Sequence, residues 1–483
     1  MEKNSNRIAS NILVQIAGRV LVLILSLISI KLITNYLGVA GTGYYNTIIT
    51  YFTFFITIAD FGLFAVGVRE ISRAPEKLKR IIGNIFTIRL VSATLATILA
   101  CLIVFFTHYP PEIKFGVLAA AAFPLFNLSA SVFDIYFQYR LEMQKVATAE
   151  VISKFVALGA VYLAIIFNLG FYFIVASISL AAFLNYSIKY LYSKKVGIKL
   201  SYDKSLVKWI ISLSLPLGLV FIVNNFYFKV DTLILFYFKG ASEVGIYSVA
   251  YKVLETTIFA AAYLAYSLKP LFSTAVNKDK DRASAAVRNG LTFLLLMSLA
   301  IVVACLPFSR EIIIFLSNNS FVAGAPVVII VAFAAIFIYF NILMGEVMIA
   351  KDLRRYLMFV AIFVLLFNII TNIIFIPRYS FIAAAWTTLA SEILLLIFGA
   401  GKVSTIIKLR PDFWRFSKLI FSAMVSIFVA FALKNLELYF IFAIIISMLV
   451  YFGLTYLLGG IPQDLIKDYL LETKNKWNHV SSQ

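Results

Sequence analysis

Two cysteines and two histidines in 483 residues leave this chain little from which to build a disulfide framework or a metal site. Cys101 and Cys305 both fall inside apolar runs and read as small buried hydrophobes. His108 stands in a short loop and His479 in the tail, neither with the neighbours of a metal ligand. Charged residues make up only 13% of the chain. No Gly-x4-Gly-Lys-Ser/Thr run occurs, so there is no phosphate-cradling loop for ATP, and uphill movement would draw on an ion gradient or a partner. No catalytic constellation stands out either, which points away from an enzyme.

What the chain has is apolar length. It is 62% hydrophobic with a mean hydropathy of +0.96, and runs of about 20 apolar residues recur from end to end, each long enough to cross a bilayer. At that depth the backbone must satisfy itself, and the runs do not alternate as barrel strands do, so the spans are expected to be helices. The first run, after Arg7, is too long for a cleaved signal peptide and is expected to stay in the protein. Fourteen spans are expected, near 8–34, 44–68, 84–106, 115–137, 147–168, 171–192, 209–236, 244–271, 290–307, 326–349, 357–376, 381–401, 416–433 and 439–458. Lys and Arg crowd onto alternate loops. Lys114, Lys239, Arg310, Arg378 and Lys434 are the exceptions, so both termini are expected inside. That asymmetry accounts for the net charge of +19 without a nucleic-acid partner.

The chain also echoes itself. Gly38-x4-Gly43-x-Tyr45 returns as Gly240-x4-Gly245-x-Tyr247, 202 positions later, each time between two long apolar segments. Transporters commonly carry such internal repeats, with the substrate site where the repeats meet. The expected division is a first lobe of six spans over 1–193, a basic linker over 194–208 and a second lobe of six over 209–401. Two further spans and the tail occupy 402–483.

Ionisable residues inside spans are costly and therefore functional candidates. Arg19 lies mid-span on the face of Gln15 and Ser26, and its span contains no acid. Lys31, nearer the outer end, suits a snorkelling role as well as a ligand role. Asn225 and Lys229 share a broad face of span seven with Ser214, Gly218 and Thr232. On span eight, Lys252 and Glu255 stand three apart and can neutralise each other, and Lys269 before Pro270 can mark the inner interface. Glu150 and Lys154 read as a helix-surface pair, and Asp134 and Gln138 as holding a loop beside Arg140. Asp60 has no cation within four residues; it could pair with Arg89 or Arg19, or bind a proton or sodium ion.

Asp60-Phe61-Gly62-Leu63 followed by Arg69-Glu70 resembles a signature of Wzx-type flippases of polysaccharide repeat units, in the multidrug/oligosaccharidyl-lipid/polysaccharide (MOP) exporter superfamily. Leu37-Gly38 to Tyr45, and Asp231 followed by Glu243-Val244-Gly245-Ile246-Tyr247, are similar to that family's turns. The resemblance implies a MATE-like all-α fold: two six-helix lobes in a V around a cavity lined by spans one, two, seven and eight. It further implies an undecaprenyl-pyrophosphate-linked oligosaccharide as substrate, alternating access, and a place in a bacterial or archaeal cytoplasmic membrane beside polysaccharide polymerase machinery. Many relatives have twelve spans rather than fourteen, which leaves the polymer open.

The residues support the same chemistry independently. Arg and Lys hold phosphate oxygens, so Arg19, Lys31, Lys229, Lys252 and Lys269 are the expected pyrophosphate ligands, with Gln15 and Asn225 as polar support. Asp60 or Glu255 would couple the cycle to H+ or Na+. A lipid II flippase, with the same fold and a pyrophosphate headgroup too, is the alternative that this chemistry does not exclude. A drug exporter should present an acid on its first helix, where this chain presents Arg19 and Lys31. A polymerase should carry a large outside loop, and the longest here runs only from about Phe308 to Ala325.

Overall fold

The computed structural model describes residues 2–460; side chains are described from Val14 onward, except at 16, 217 and several positions between 259 and 277, Lys269 among them. Helix dominates, and among the described residues there is no strand. Eleven described helical stretches are long and apolar enough to cross a membrane, where the sequence suggested fourteen spans. Two of the eleven, 57 and 51 residues long, run through interruptions at Gly38 and Ser380, so a count that merges helix across such breaks falls short of a count by apolar run.

The chain divides into two compact units, residues 1–248 with 315–321, and residues 249–314 with 322–483. The first unit contains α1 (Glu2–Asp60), α2 (Leu63–Arg73), α3 (Leu78–Phe106), α4 (Pro111–Ala119), α5 (Ala122–Tyr139), α6 (Met143–Ile166), α7 (Phe171–Ser193), α8 (Lys204–Lys239) and the start of α9 (Ala241–Lys278). At Gly38 the backbone takes φ 65°, ψ −169°, a region essentially confined to glycine, and Gly240 takes nearly the same pair, 82° and −172°. The repeated glycines of the sequence are thus repeated bends.

Beyond Gly38, the rest of α1 runs antiparallel to α3: Tyr51 donates to the Ala100 carbonyl at 2.9 Å and Ser92 to the Ala59 carbonyl at 3.0 Å. α1 ends at Asp60, earlier than the expected 68, because Phe61 and Gly62 both take positive φ before α2 resumes. Gly62 and Gly218 pack backbone on backbone, which brings the end of α1 onto α8. α8 continues as one helix through Pro216.

Within this unit the basic 194–208 stretch is tied to α3. Ser201 accepts from Asn84 at 3.0 Å and its carbonyl from Thr87 at 2.8 Å, while the Asp203 amide donates to Asn84 at 2.7 Å. Asp203 also caps α8 through the amides of Ser205 and Leu206 and pairs with Arg80. These bonds hold the carboxyl of Asp203 well below the usual carboxylate range, the Arg80 bond contributing most.

The second unit contains the remainder of α9, α10 (Lys280–Leu316, interrupted at Phe308 after Pro307), α11 (Ala325–Ala350), α12 (Arg354–Ser404), α13 (Phe413–Asn435) and α14 (Phe440–Leu457). Its last two helices are anchored on α10: Tyr451 donates to the Leu296 carbonyl at 3.0 Å, and Lys434 pairs with Glu311 at 2.8 Å. Both cysteines are free thiols.

Candidate functional site

Arg19, Lys31 and Lys229 belong to the first unit and Lys252 to the second; the side chain of Lys269 lies outside the described residues. Gln15 is half-buried and Asn225 exposed, its amide donating to the Phe221 carbonyl of its own helix at 3.0 Å. Lys31 reaches the Ser317 carbonyl. Lys252 is paired with Glu255 at 2.9 Å, the neutralising arrangement that their spacing allowed. Near Lys229, buried Asp231 accepts from the Thr232 amide at 2.7 Å and from the Tyr247 hydroxyl.

Asp60 finds its cation on another helix, one of the alternatives that the sequence left open. Its carboxylate accepts from Arg89, which is fully buried and also donates to Ser131 at 2.6 Å. Asp134 does not simply hold a loop beside Arg140: it pairs with Lys189 of α7 at 2.7 Å, and Lys189 is 2% exposed. Two buried cations inside one helical unit, each against a carboxylate, is what the cost of burying charge demands.

Arg19 is placed differently. Its side chain is 59% exposed, and its guanidinium stands 3.7 Å from the carboxylate of Glu150 on α6, an ion pair too long for a hydrogen bond. It lines a half-open hollow of about 400 Å3 between helices of the first unit, whose wall is mostly apolar with a few polar and charged side chains set into it. Glu150 and Lys154, expected on the helix surface, both line that cavity, as do Ser153 and Ser177. Lys154 is exposed, and i, i+4 spacing serves a helix-surface pair and two side chains bordering one open hollow equally. Asn127 and Asn185 also line it and carried no signal beyond being amides in apolar runs; the buried Oδ1 of Asn185 has no hydrogen-bond partner among the described residues.

A second hollow of about 430 Å3 lies beside the Asp203 strap, walled by Lys77, Arg80, Ser205 and Trp209 with buried Glu70. Glu70 already accepts from Arg69 at 2.7 Å and from Arg73 at 3.4 Å, so the Arg-Glu motif of the sequence closes on itself. Among the described residues, no cluster of three His, Cys, Asp or Glu side chains could hold a metal ion.

The profile of the polysaccharide biosynthesis protein family matches residues 8–276, and the MatE profile matches residues 216–374. An uncharacterized membrane protein of Methanocaldococcus jannaschii, MJ1068, is 22% identical over 472 residues, 91% of this chain and 92% of its own. A probable low-salt glycan biosynthesis flippase of Haloferax volcanii, Agl15, is 23% identical over 251 residues, so the match spans about half of either chain. Among solved structures, the lipid II flippase MurJ in an inward closed conformation superposes with a TM-score of 0.77 at 15% identity, covering 95% of this chain and all of that one. That likeness is one of fold.

Proposed function

The chain belongs to the polysaccharide biosynthesis protein family, and from that premise we propose that it flips lipid-linked oligosaccharides across a membrane. The substrate would be an undecaprenyl-pyrophosphate-linked repeat unit, carried between leaflets of a bacterial or archaeal cytoplasmic membrane by alternating access, with both termini on the cytoplasmic side. The glycan flippase of Haloferax volcanii and the fold shared with MurJ support this reading. The observation that carries it is Arg19, a guanidinium within an apolar helix that has only a loose ion pair with Glu150 at 3.7 Å, makes no hydrogen bond to the described residues, and borders an open hollow. Such a group is costly in a bilayer unless a polar or anionic ligand meets it.

Lys31, Lys229, Lys252 and Lys269 are assigned to the pyrophosphate, with Gln15 and Asn225 as polar support. Arg19, beside Glu150, suits a less highly charged anionic group of the same substrate. Coupling to H+ or Na+ through Asp60 or Glu255 belongs to the same proposal: each carboxylate holds a cation, and protonating either would release it. Polymerase machinery would take the product on the far side. The experiment is reconstitution into liposomes carrying a fluorescent undecaprenyl-pyrophosphate glycan. Movement between leaflets that Arg19→Gln abolishes at equal protein level supports the reading; undiminished movement in that variant removes Arg19 from the site.

A second reading, a lipid II flippase, is favoured by the fold likeness to MurJ. Rescue of cells depleted of their own lipid II flippase would support it over the glycan reading.

A further inference from the structure

We propose that the hollow inside the first unit is a sugar subsite for one acidic monosaccharide of the lipid-linked glycan, with the sugar carboxylate on Arg19. The proposal rests on the flippase reading and names the class of glycan. The hollow's volume, about 400 Å3, lies at the lower end of small-molecule sites and leaves room for one or two sugar rings rather than a whole repeat unit. Its charge is two cations, Arg19 and Lys154, to one carboxylate, Glu150.

The hydroxyls of the wall decide between anions. Ser29 donates to the Leu25 carbonyl at 2.9 Å, Ser153 to that of Glu150 at 3.0 Å and Ser177 to that of Ile174 at 2.6 Å. Each serine spends its only proton on its own helix and turns lone pairs to the hollow. Phosphate or pyrophosphate oxygens chiefly accept, so they would set lone pair against lone pair there and meet the charge of Glu150. Sugar hydroxyls donate as well as accept, so they satisfy the serines, Glu150 and the unpartnered Oδ1 of Asn185. A carboxylate on the same ring takes the forked donors of Arg19. The rings of Tyr45 and Phe123 supply the apolar wall against which a sugar lays its C–H face.

The internal repeat points the same way. Shifted by 202 positions, Ser29 and Tyr45 fall on Asp231 and Tyr247. In the later copy the tyrosine hydroxyl is bonded to the buried acid. In the earlier copy a serine stands where the acid would be, and both residues line the hollow.

The test uses the full-length protein in nanodiscs, titrated with D-glucuronate, D-glucose and inorganic phosphate and followed by calorimetry and thermal shift. Glucuronate is expected to bind about tenfold or more tighter than glucose, the value of one charge-assisted contact, and phosphate to bind more weakly than glucuronate. Arg19→Gln should bring glucuronate down to the glucose level, and Asn185→Leu should weaken both sugars. The unliganded melting temperature shows whether each variant is folded; where Arg19→Gln is not, Lys154→Gln takes its place, with weaker glucuronate binding expected. Equal affinity for the two sugars, no glucuronate binding, phosphate binding as tightly, or a folded Arg19→Gln that binds normally overturns the proposal. Liposomes that move lipid-linked glycan while glucuronate fails to bind would sink this subsite and leave the flippase reading standing. Glucuronate binding without movement of any lipid-linked glycan would do the reverse.

Discussion

Gly43 and Gly245 face each other backbone to backbone: a methyl group on Gly245 would come within 3.2 Å of the Gly43 nitrogen. The same methyl would overlap the Val39 carbonyl oxygen, and one on Gly43 would overlap that of Ala241. Val39 and Ala241 are themselves 202 positions apart, so each copy of the repeat presses its glycine on the other's helix start. Gly43→Ala and Gly245→Ala are therefore expected to destabilise by about 1–3 kcal/mol each, since a backbone carbonyl yields less easily than a side chain. Thermal unfolding of the purified variants checks this; wild-type melting of both would show that the crossing has slack.

Arg89 supplies the second prediction. It is fully buried, and Asp60 and Ser131 are its partners. Asp60→Asn leaves a buried guanidinium without its counter-charge and should cost about 3–5 kcal/mol, whereas replacing the pair together, Asp60→Asn with Arg89→Met, should cost clearly less. Comparing the melting of the two variants decides it.

The strap at Asp203 predicts a pH dependence of defined sign. Its carboxyl is held below the ordinary value by Arg80, so its contribution is complete above that ordinary value, about 3.9, and fades as pH falls toward the lower folded one. The melting difference between wild type and Asp203→Asn should be constant from neutral pH to about 5 and shrink below about 4. A difference that shrinks between pH 7 and 5 would place the effect elsewhere.

Glu255 tests coupling. Glu255→Gln keeps the shape of the group that holds Lys252 at 2.9 Å but removes its charge. If Glu255 carries the coupling ion, flipping in liposomes should lose its dependence on an imposed proton or sodium gradient while substrate binding persists. Unchanged gradient dependence would shift the role to Asp60.

Much of this was legible in the sequence, and the gaps have physical causes. Hydropathy located the helices because bilayer thickness fixes their length, and Gly38 and Gly240 announced bends because only glycine takes that backbone cheaply. The Lys252–Glu255 pair was readable because both partners lie on one helix. The partners of Arg19, Asp134 and Arg89 were not fixed, because each sits on another helix and the order of helices around a bundle is not written in any one of them. Asp60–Arg89 came nearest, as an acid with no local cation has few places to look. Glu150 and Lys154 were legible as neighbours on one helix face, but the hollow they border was not, because its other walls come from α1, α5 and α7.

At Ser380 the backbone takes φ 52°, ψ −140°, a conformation that a residue with a Cβ adopts only under strain. The earlier knees of this chain use glycine, and here a serine does the same work at a cost of roughly 1–3 kcal/mol. That leaves a reserve: Ser380→Gly should make the protein sturdier, by the strain relieved less the roughly 0.5–1 kcal/mol of chain freedom that glycine forfeits on folding. For a polytopic protein that must survive detergent before any sugar can be titrated into it, that one hydroxymethyl group is the first to remove.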